Sequence, residues 1–239
     1  MNSIDIQENI CVITLNNKPH NYLTNPEFIQ TKELCSAINE NNCKAIVISG
    51  VGRHFSAGAD INHLKEMTIN GSLKTEIEKG KELLATLKSF KLPIIACIEG
   101  TCFGGGFEIV LQADIKIASS KALFAFPETN MDIIPGLGGI VSLTCITGKS
   151  KALEIVLNGD IIDAQTAKDL KIIDYINEPK TTLTAGLDLA GSITHQRPVE
   201  VIKAVIESLR NAENLEYSKA IERETELFCM LAKKALEKK

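Results

Sequence analysis

Two carboxylates and a run of glycines are the positions in this 239-residue chain whose types could do chemistry. Glu108 closes the stretch Glu99-Gly-Thr-Cys-Phe-Gly-Gly-Gly-Phe-Glu108, and Glu128 follows Pro127 after the apolar run Lys121 to Phe126. Acids that face one substrate suit general acid/base work, because neighbouring carboxyls push each other's pKa values apart. Their spacing is not helical, so only the tertiary fold can bring them together. Read by residue type alone, the alternatives are a helix-capping acid for Glu108 and a solvated turn acid for Glu128. Gly104, Gly105 and Gly106 remove three consecutive side chains, which costs chain entropy unless the backbone must bend unusually or approach something closely. A chain that enters a helix this way aims free N–H groups beyond the turn, where the helix dipole adds to their pull on negative charge.

The elements around these residues read as alternating strands and helices. Leu92 to Ile98 is an apolar run of the kind a covered strand shows, and Glu108 to Gln112 is helical. Upstream, residues 4 to 15 alternate imperfectly, as a hairpin or bent strand does. Asn25-Pro-Glu reads as a cap with Pro at the first helical position, opening a helix to about Asn39. Lys44 to Gly50 is a strand, and Val51 to Ile61 is a second loop of small residues leading toward a helical segment. The spacing of Ile77, Leu83, Leu84 and Leu87 predicts a helix from Thr75 to Phe90, whereas residues 64 to 72 carry no clear pattern. Asp114 to Ala118 is a strand, and Pro135-Gly-Leu-Gly-Gly139 opens a helix to about Thr147. Helices at 150 to 157 and 163 to 170 precede a strand at 171 to 176. From Thr181 onward the pattern is helical: 182 to 194, 198 to 210 and 215 to 236. Both small-residue loops fall at the carboxyl ends of strands, where α/β folds place ligands.

Composition narrows the function classes. The hydrophobic share is 44% and the formal charge is −4, which fits a soluble globular protein with one large domain or one domain and an appendage. With no Trp and three Tyr there is little to stack nucleic acid bases on, and the mild acidity disfavours a polyanion partner. The first residues lack the apolar core of a signal peptide, and no run is long enough to span a membrane. Seven Cys without a CxxC pair suit reduced thiols in cytoplasm better than disulfides or zinc, and the four His have no metal spacing. No metal is expected. Gly148-Lys-Ser150 lacks the first glycine of a phosphate loop, and Gly104-x-Gly106 lacks the next glycine of a dinucleotide fingerprint.

Three motifs then act together. His54-Phe-Ser-Ala-Gly-Ala-Asp-Ile61, Gly104-Gly-Gly-Phe-Glu108 and Phe126-Pro-Glu-Thr-Asn-Met-Asp-Ile-Ile-Pro-Gly-Leu-Gly-Gly139 resemble, in order and spacing, the enoyl-CoA hydratase/isomerase (crotonase) family. The resemblance runs from roughly residue 4 to residue 235. It implies an α/β fold, a crotonase-like spiral of β-β-α units over 1–190, with a helical C-terminal region over 191–239 for trimerisation and pocket cover. It also implies a substrate that is an acyl thioester of coenzyme A or of acyl carrier protein. Coenzyme A or phosphopantetheine would enter as part of that substrate, with no permanently bound cofactor.

By the same resemblance the backbone N–H groups of Ala59 and Gly105 are oxyanion donors, Glu108 holds and activates water, and Glu128 gives a proton to the α carbon. Lys18 matches a basic residue facing the coenzyme's phosphates, with a solvated turn lysine as the alternative. Ala57, Gly58, Asp60 and Ile61 match the adenine-binding segment. Phe103 and Met131, with Met67, Leu73 and Leu84, would wall the acyl pocket.

The implied activity is enoyl-CoA hydratase or 3-hydroxyacyl-thioester dehydratase, with syn addition or removal of water. The alternatives are a double-bond isomerase, a dehydratase acting on a carrier-protein-bound polyketide intermediate, and a catalytically silent binding subunit. A homotrimer or hexamer is implied, without nucleic acid or membrane. Two departures stand out: Pro19-His-Asn-Tyr-Leu23 is shorter than the common pattern, and the family's closing segment of Lys or Arg followed by Pro and Phe is not met before Lys239. The second leaves room for a thioester carried on a protein.

Overall fold

The computed structural model describes residues 1–237; Lys238 and Lys239, the end of the expected helical tail, lie outside the described residues. Strands β1 (Ser3–Gln7) and β2 (Ile10–Leu15) form the expected hairpin. Strand β2 then pairs in parallel with β3 (Ala45–Gly50), followed by β4 (Ile94–Ile98), β6 (Ile115–Ser119) and β9 (Tyr175–Asn177), giving the six-stranded order β1-β2-β3-β4-β6-β9. The inner strands are apolar on both faces because both faces are covered. Cys11, Ile13, Ile46, Ile48, Ala96 and Ile98 point into the main core. Their neighbours Val12, Val47, Ile95, Cys97 and Ile117 point the other way. Helix α8 (Thr182–Thr194) lies on that second face, so close that a Cβ on Gly186 would stand 2.2 Å from Cys97 Sγ.

A second, three-stranded sheet holds β5 (Thr101–Phe103), β7 (Leu123–Ala125) and β8 (Ile162–Asp163). Sequence reading ran β5 into the glycine-rich turn; the strand exists because its amides and carbonyls pair with β7 in register from Thr101–Leu123 to Phe103–Ala125. The chain therefore repeats one unit. A long strand enters the large sheet, a short one enters the small sheet, and a helix returns. In β4-β5-α4 the helix is α4 (Gly105–Val110), and in β6-β7-α5 it is α5 (Gly139–Thr147). The β3 unit has only an isolated parallel bridge, Ser56 to Cys102, as its short strand before α2 (Ile61–Ile69). This is the α/β spiral expected.

Several boundaries differ from expectation, and three of them have a clear local reason. Helix α1 (Thr31–Glu40) starts after Pro26, which instead packs on α3 (Leu73–Ser89), where a Cβ on Gly80 would meet Pro26 Cβ at 2.7 Å. Glu27 Oε1 accepts from Thr31 N at 3.0 Å and Thr31 Oγ1 at 2.8 Å, taking the role assigned to Asn25. Helix α5 starts at Gly139, because the amides before it serve Glu108. Residues 171 to 174 are a turn with Ile172 N donating to Ala167 O, so only Tyr175–Asn177 reaches the sheet.

The remaining elements are α6 (Lys149–Asn158), α7 (Ala164–Asp169), α9 (Val199–Asn214) and α10 (Tyr217–Glu237). The 190/191 division between core and tail falls inside α8; α9 and α10 pair beyond it.

Candidate active site

The repeated unit explains why distant residues meet. Ser56, β5 and β7 lie side by side, so the segments leaving their carboxyl ends emerge together. Those segments are Ala57 to Ala59, Gly104 to Gly106, and Phe126 to Glu128 in a 3-10 turn (Pro127–Met131). Contact between them is close enough to require glycine. A Cβ on Gly58 (φ +90°) would stand 2.9 Å from Phe103 O, and one on Gly104 (φ +50°) would stand 3.8 Å from Gly58 Cα and 2.8 Å from Glu128 Oε1.

Two backbone amides follow directly from this junction. Leu23 N donates to Gly58 O at 2.8 Å, and Asp60 N donates to Leu23 O at 3.0 Å. The Ala59 amide between them donates to no group among the described residues. A trans peptide is planar, so fixing Gly58 C=O on one side aims Ala59 N–H to the other. The same holds across the junction: Gly104 O accepts from Glu108 N at 2.9 Å, and Gly105 N–H, first in α4, points the opposite way without a helical partner.

The carboxylates are held differently. Glu108 is buried, and its Oε1 accepts from Leu137 N at 2.7 Å and Gly139 N at 2.8 Å. Burial pushes its carboxyl up, while those amides, with Gly136 N and the charge of Lys81, pull it back toward the ionised form. Glu128 is buried too, but its Oε2 has no hydrogen-bond partner. Burial, then the charge of Glu108, raises it to about 7 against the restraint of its own amide. Both carboxyls are thus raised by burial, but only Glu108 has amides donating to it that work against the rise, whereas Glu128 Oε2 has no donor. Their neighbours fix the arrangement: Phe107 and Phe126 stack with centroids 4.7 Å apart. A Cβ on Gly139 would strike Phe126 Cζ at 2.6 Å and Glu108 Cγ at 2.8 Å.

The other expected site residues lie at varied distances from this junction. Ala57 is half-buried, with its amide donating to His20 O at 3.0 Å, and Gly58 is buried. The Asp60 carboxylate caps α2, accepting from Asn62 N at 2.9 Å and His63 N at 3.4 Å, and its backbone is engaged as well, Asp60 N donating to Leu23 O at 3.0 Å and Asp60 O accepting from Leu64 N at 2.9 Å. Ile61 is half exposed at the start of α2; Phe103 ends β5; Met131, exposed, ends the 3-10 turn. Lys18 is exposed, and among the described residues its side chain makes no hydrogen bond or ion pair that ties it to the junction. Met67 lies on a separate, largely polar cleft between residues 25–30, α2 and the start of α3, and Leu84 belongs to the core. Sequence reasoning missed the amides of Leu137 and Gly139, the Phe107–Phe126 stack, and the buried Asn21 and Ser56. The Pro-Gly-Leu-Gly-Gly run was the available signal for the first of these.

Comparison with known proteins agrees with this architecture. The sequence profile of the enoyl-CoA hydratase/isomerase family matches residues 5–239. The chain is 32% identical over 228 residues to the 2,3-dehydroadipyl-CoA hydratase of Escherichia coli K12, covering 95% of this chain and 88% of that one. It is 30% identical over 231 residues to a probable enoyl-CoA hydratase of Bacillus subtilis, covering 95% and 88%. In fold it superposes on a crystal structure of an enoyl-CoA hydratase from Polaromonas sp. JS666 with a TM-score of 0.89, covering 96% and 90% at 24% identity. With the profile spanning nearly the whole length and the spiral matching in three dimensions, the chain belongs to the enoyl-CoA hydratase/isomerase family.

Proposed function

We propose that this chain adds water across the α,β double bond of an enoyl thioester, or removes it in reverse. The observation that carries the reading is the junction itself. Two amides without partners among the described residues, Ala59 N and Gly105 N, leave adjacent backbones, and the carboxyl of Glu128 lies against Gly104, the residue before the second of them. In hydration, Glu108 takes a proton from water as the oxygen attacks the β carbon, and the electron pair moves to the thioester oxygen. The two amides hold that oxygen, each contributing roughly 3 kcal/mol as its charge develops. Glu128 then gives its proton to the α carbon, and the carbonyl re-forms. Lys18 and the backbone of Ala57 to Ile61 serve the carrier's nucleotide or phosphopantetheine.

The test is turnover of crotonyl, longer enoyl and carboxylated enoyl thioesters, each on coenzyme A and on carrier protein. The carboxylated arm is included because one relative is named for 2,3-dehydroadipyl-CoA. Loss of the conjugated absorbance with a hydroxyacyl product is expected for at least one; no turnover and no binding on either carrier would favour the silent-subunit reading.

The reading extends to assembly and location. Helix α10 buries only Leu227 and exposes Tyr217, Ile221, Phe228, Met230 and Leu236, more apolar surface than a solvated helix carries. This supports a homotrimer or a hexamer, so light scattering is expected to give three or six times the 26.0 kDa chain mass, and a monomer would contradict it. No helix among the described residues is long and apolar enough to cross a membrane. All seven cysteines are free, and burial pushes the Cys11 and Cys97 thiols up to about 12, which suits a reducing cytoplasm.

A further inference from the structure

We infer that Ser56, anchored by Asn21, is a positioning residue that sets the gap between the Ala59 and Gly105 amides; the inference rests on the oxyanion reading above. Ser56 has no exposed surface and touches both donor segments. On the first side its Oγ accepts from Gly58 N at 3.2 Å, one residue before Ala59. On the second, its carbonyl accepts from Phe103 N at 2.9 Å, and a Cβ on Gly106 would stand 2.7 Å from its own Cβ. Nothing larger than glycine fits at 106, so the α4 entrance rests directly on Ser56.

The same hydroxyl reaches a third segment. Ser56 Oγ donates to Asn21 O at 2.7 Å. Asn21, also fully buried, sits at a φ of 52° and donates from Nδ2 to Val51 O at 3.0 Å and His54 O at 2.8 Å. Two residues later comes Leu23, whose amide fixes Gly58 C=O and so the direction of Ala59 N–H. The line of control runs from Ser56 through Asn21 and Leu23 to Gly58 and back to the amide beside it. A hydroxyl can donate to one segment and accept from another at once, in the small space that Gly106 leaves it. Alanine at 56 would leave Gly58 N–H and Asn21 C=O without it, both in buried surroundings where an unmet polar group relaxes the local geometry.

The test compares Ser56→Ala with Ser119→Ala, which removes an equally buried hydroxyl and its bond from Lys121 N at 3.1 Å at the end of β6 in the large sheet. The probe is butyryl-CoA labelled with carbon-13 at its carbonyl, which has no double bond to hydrate. In the wild type, binding is expected to move the carbonyl resonance downfield as the two amides polarise it. Ser56→Ala is expected to lose about half of that displacement and about tenfold in kcat, with KM changed less than about twofold. Ser119→Ala is expected to match the wild type in both. A wild-type displacement in Ser56→Ala, or a kcat loss no larger than that of Ser119→Ala, would overturn the inference. Should Ser56→Ala not fold, Ser56→Cys is read in the same way, since its thiol is a weaker partner of similar bulk; full displacement there would also overturn it. No displacement in the wild type itself would instead remove the oxyanion reading.

Discussion

Glu108→Gln is expected to slow water addition to a crotonyl thioester by about a thousandfold, while α-to-γ proton exchange stays within about tenfold of wild type. The substitution keeps the fold because the glutamine oxygen can still accept from Leu137 N and Gly139 N, which hold Glu108 Oε1 at 2.7 and 2.8 Å. What it removes is the anion that takes water's proton. Isomerisation needs one acid to move a proton between the α and γ carbons, and Glu128 alone can do that. Hydration followed by absorbance, beside deuterium uptake at the two carbons of an enoyl thioester, separates these reactions. Undiminished hydration would show that Glu108 does not activate water. Strong exchange with little hydration in the wild type would move the assignment to an isomerase.

Glu128→Gln is expected to suppress both reactions by about a thousandfold or more and, at the same time, to make the protein more stable at pH 8. The second effect follows from the direction of the shift. Burial and the charge of Glu108 raise the folded-state carboxyl to about 7, from an ordinary value of 4.5. Below pH 4.5 the group is protonated in both folded and unfolded chains and costs nothing. As pH rises toward 7 the unfolded chain ionises first, and folding loses stability; above 7 the loss levels off at roughly 3 kcal/mol. Glutamine does not ionise, so the variant and the wild type should unfold alike near pH 4 and diverge by pH 8. The same carboxyl should make wild-type hydration fall as pH rises through about 7, because proton delivery to the α carbon needs its acid form. Denaturant melts at both pH values check the first effect, and a pH–rate profile checks the second. Equal stability at pH 8 would mean that Glu128 carries no burial penalty.

Much of this arrangement was legible in residue types and order. The apolar runs from 45 to 49 and 94 to 98 mark strands covered on both faces, and the triple glycine marks a close approach; both are properties of short segments. The short strand β5 was not legible, because three residues between glycine turns become a strand only when β7 lies beside them. Pro26 illustrates the same limit. Its local signal was that of a helix start, and the contact with Gly80 on α3, far along the chain, decided otherwise. For the site, residue types singled out Glu108 and Glu128 as candidates, but their division of labour came from the family resemblance and had no basis in local chemistry. It depends on the amides of Leu137 and Gly139 reaching one carboxylate and no donor reaching Oε2 of the other. Ser56 and Asn21 gave no signal beyond their polarity, since neither stands in a spacing that local chemistry would explain.

The measurement that bears most directly on the account is a crystal structure with butyryl-CoA bound. It should place the thioester oxygen about 3 Å from both Ala59 N and Gly105 N, with the α carbon about 3.5 Å from the Glu128 carboxylate. An acyl group whose oxygen meets neither amide, or whose α carbon lies beyond the reach of Glu128, would contradict it.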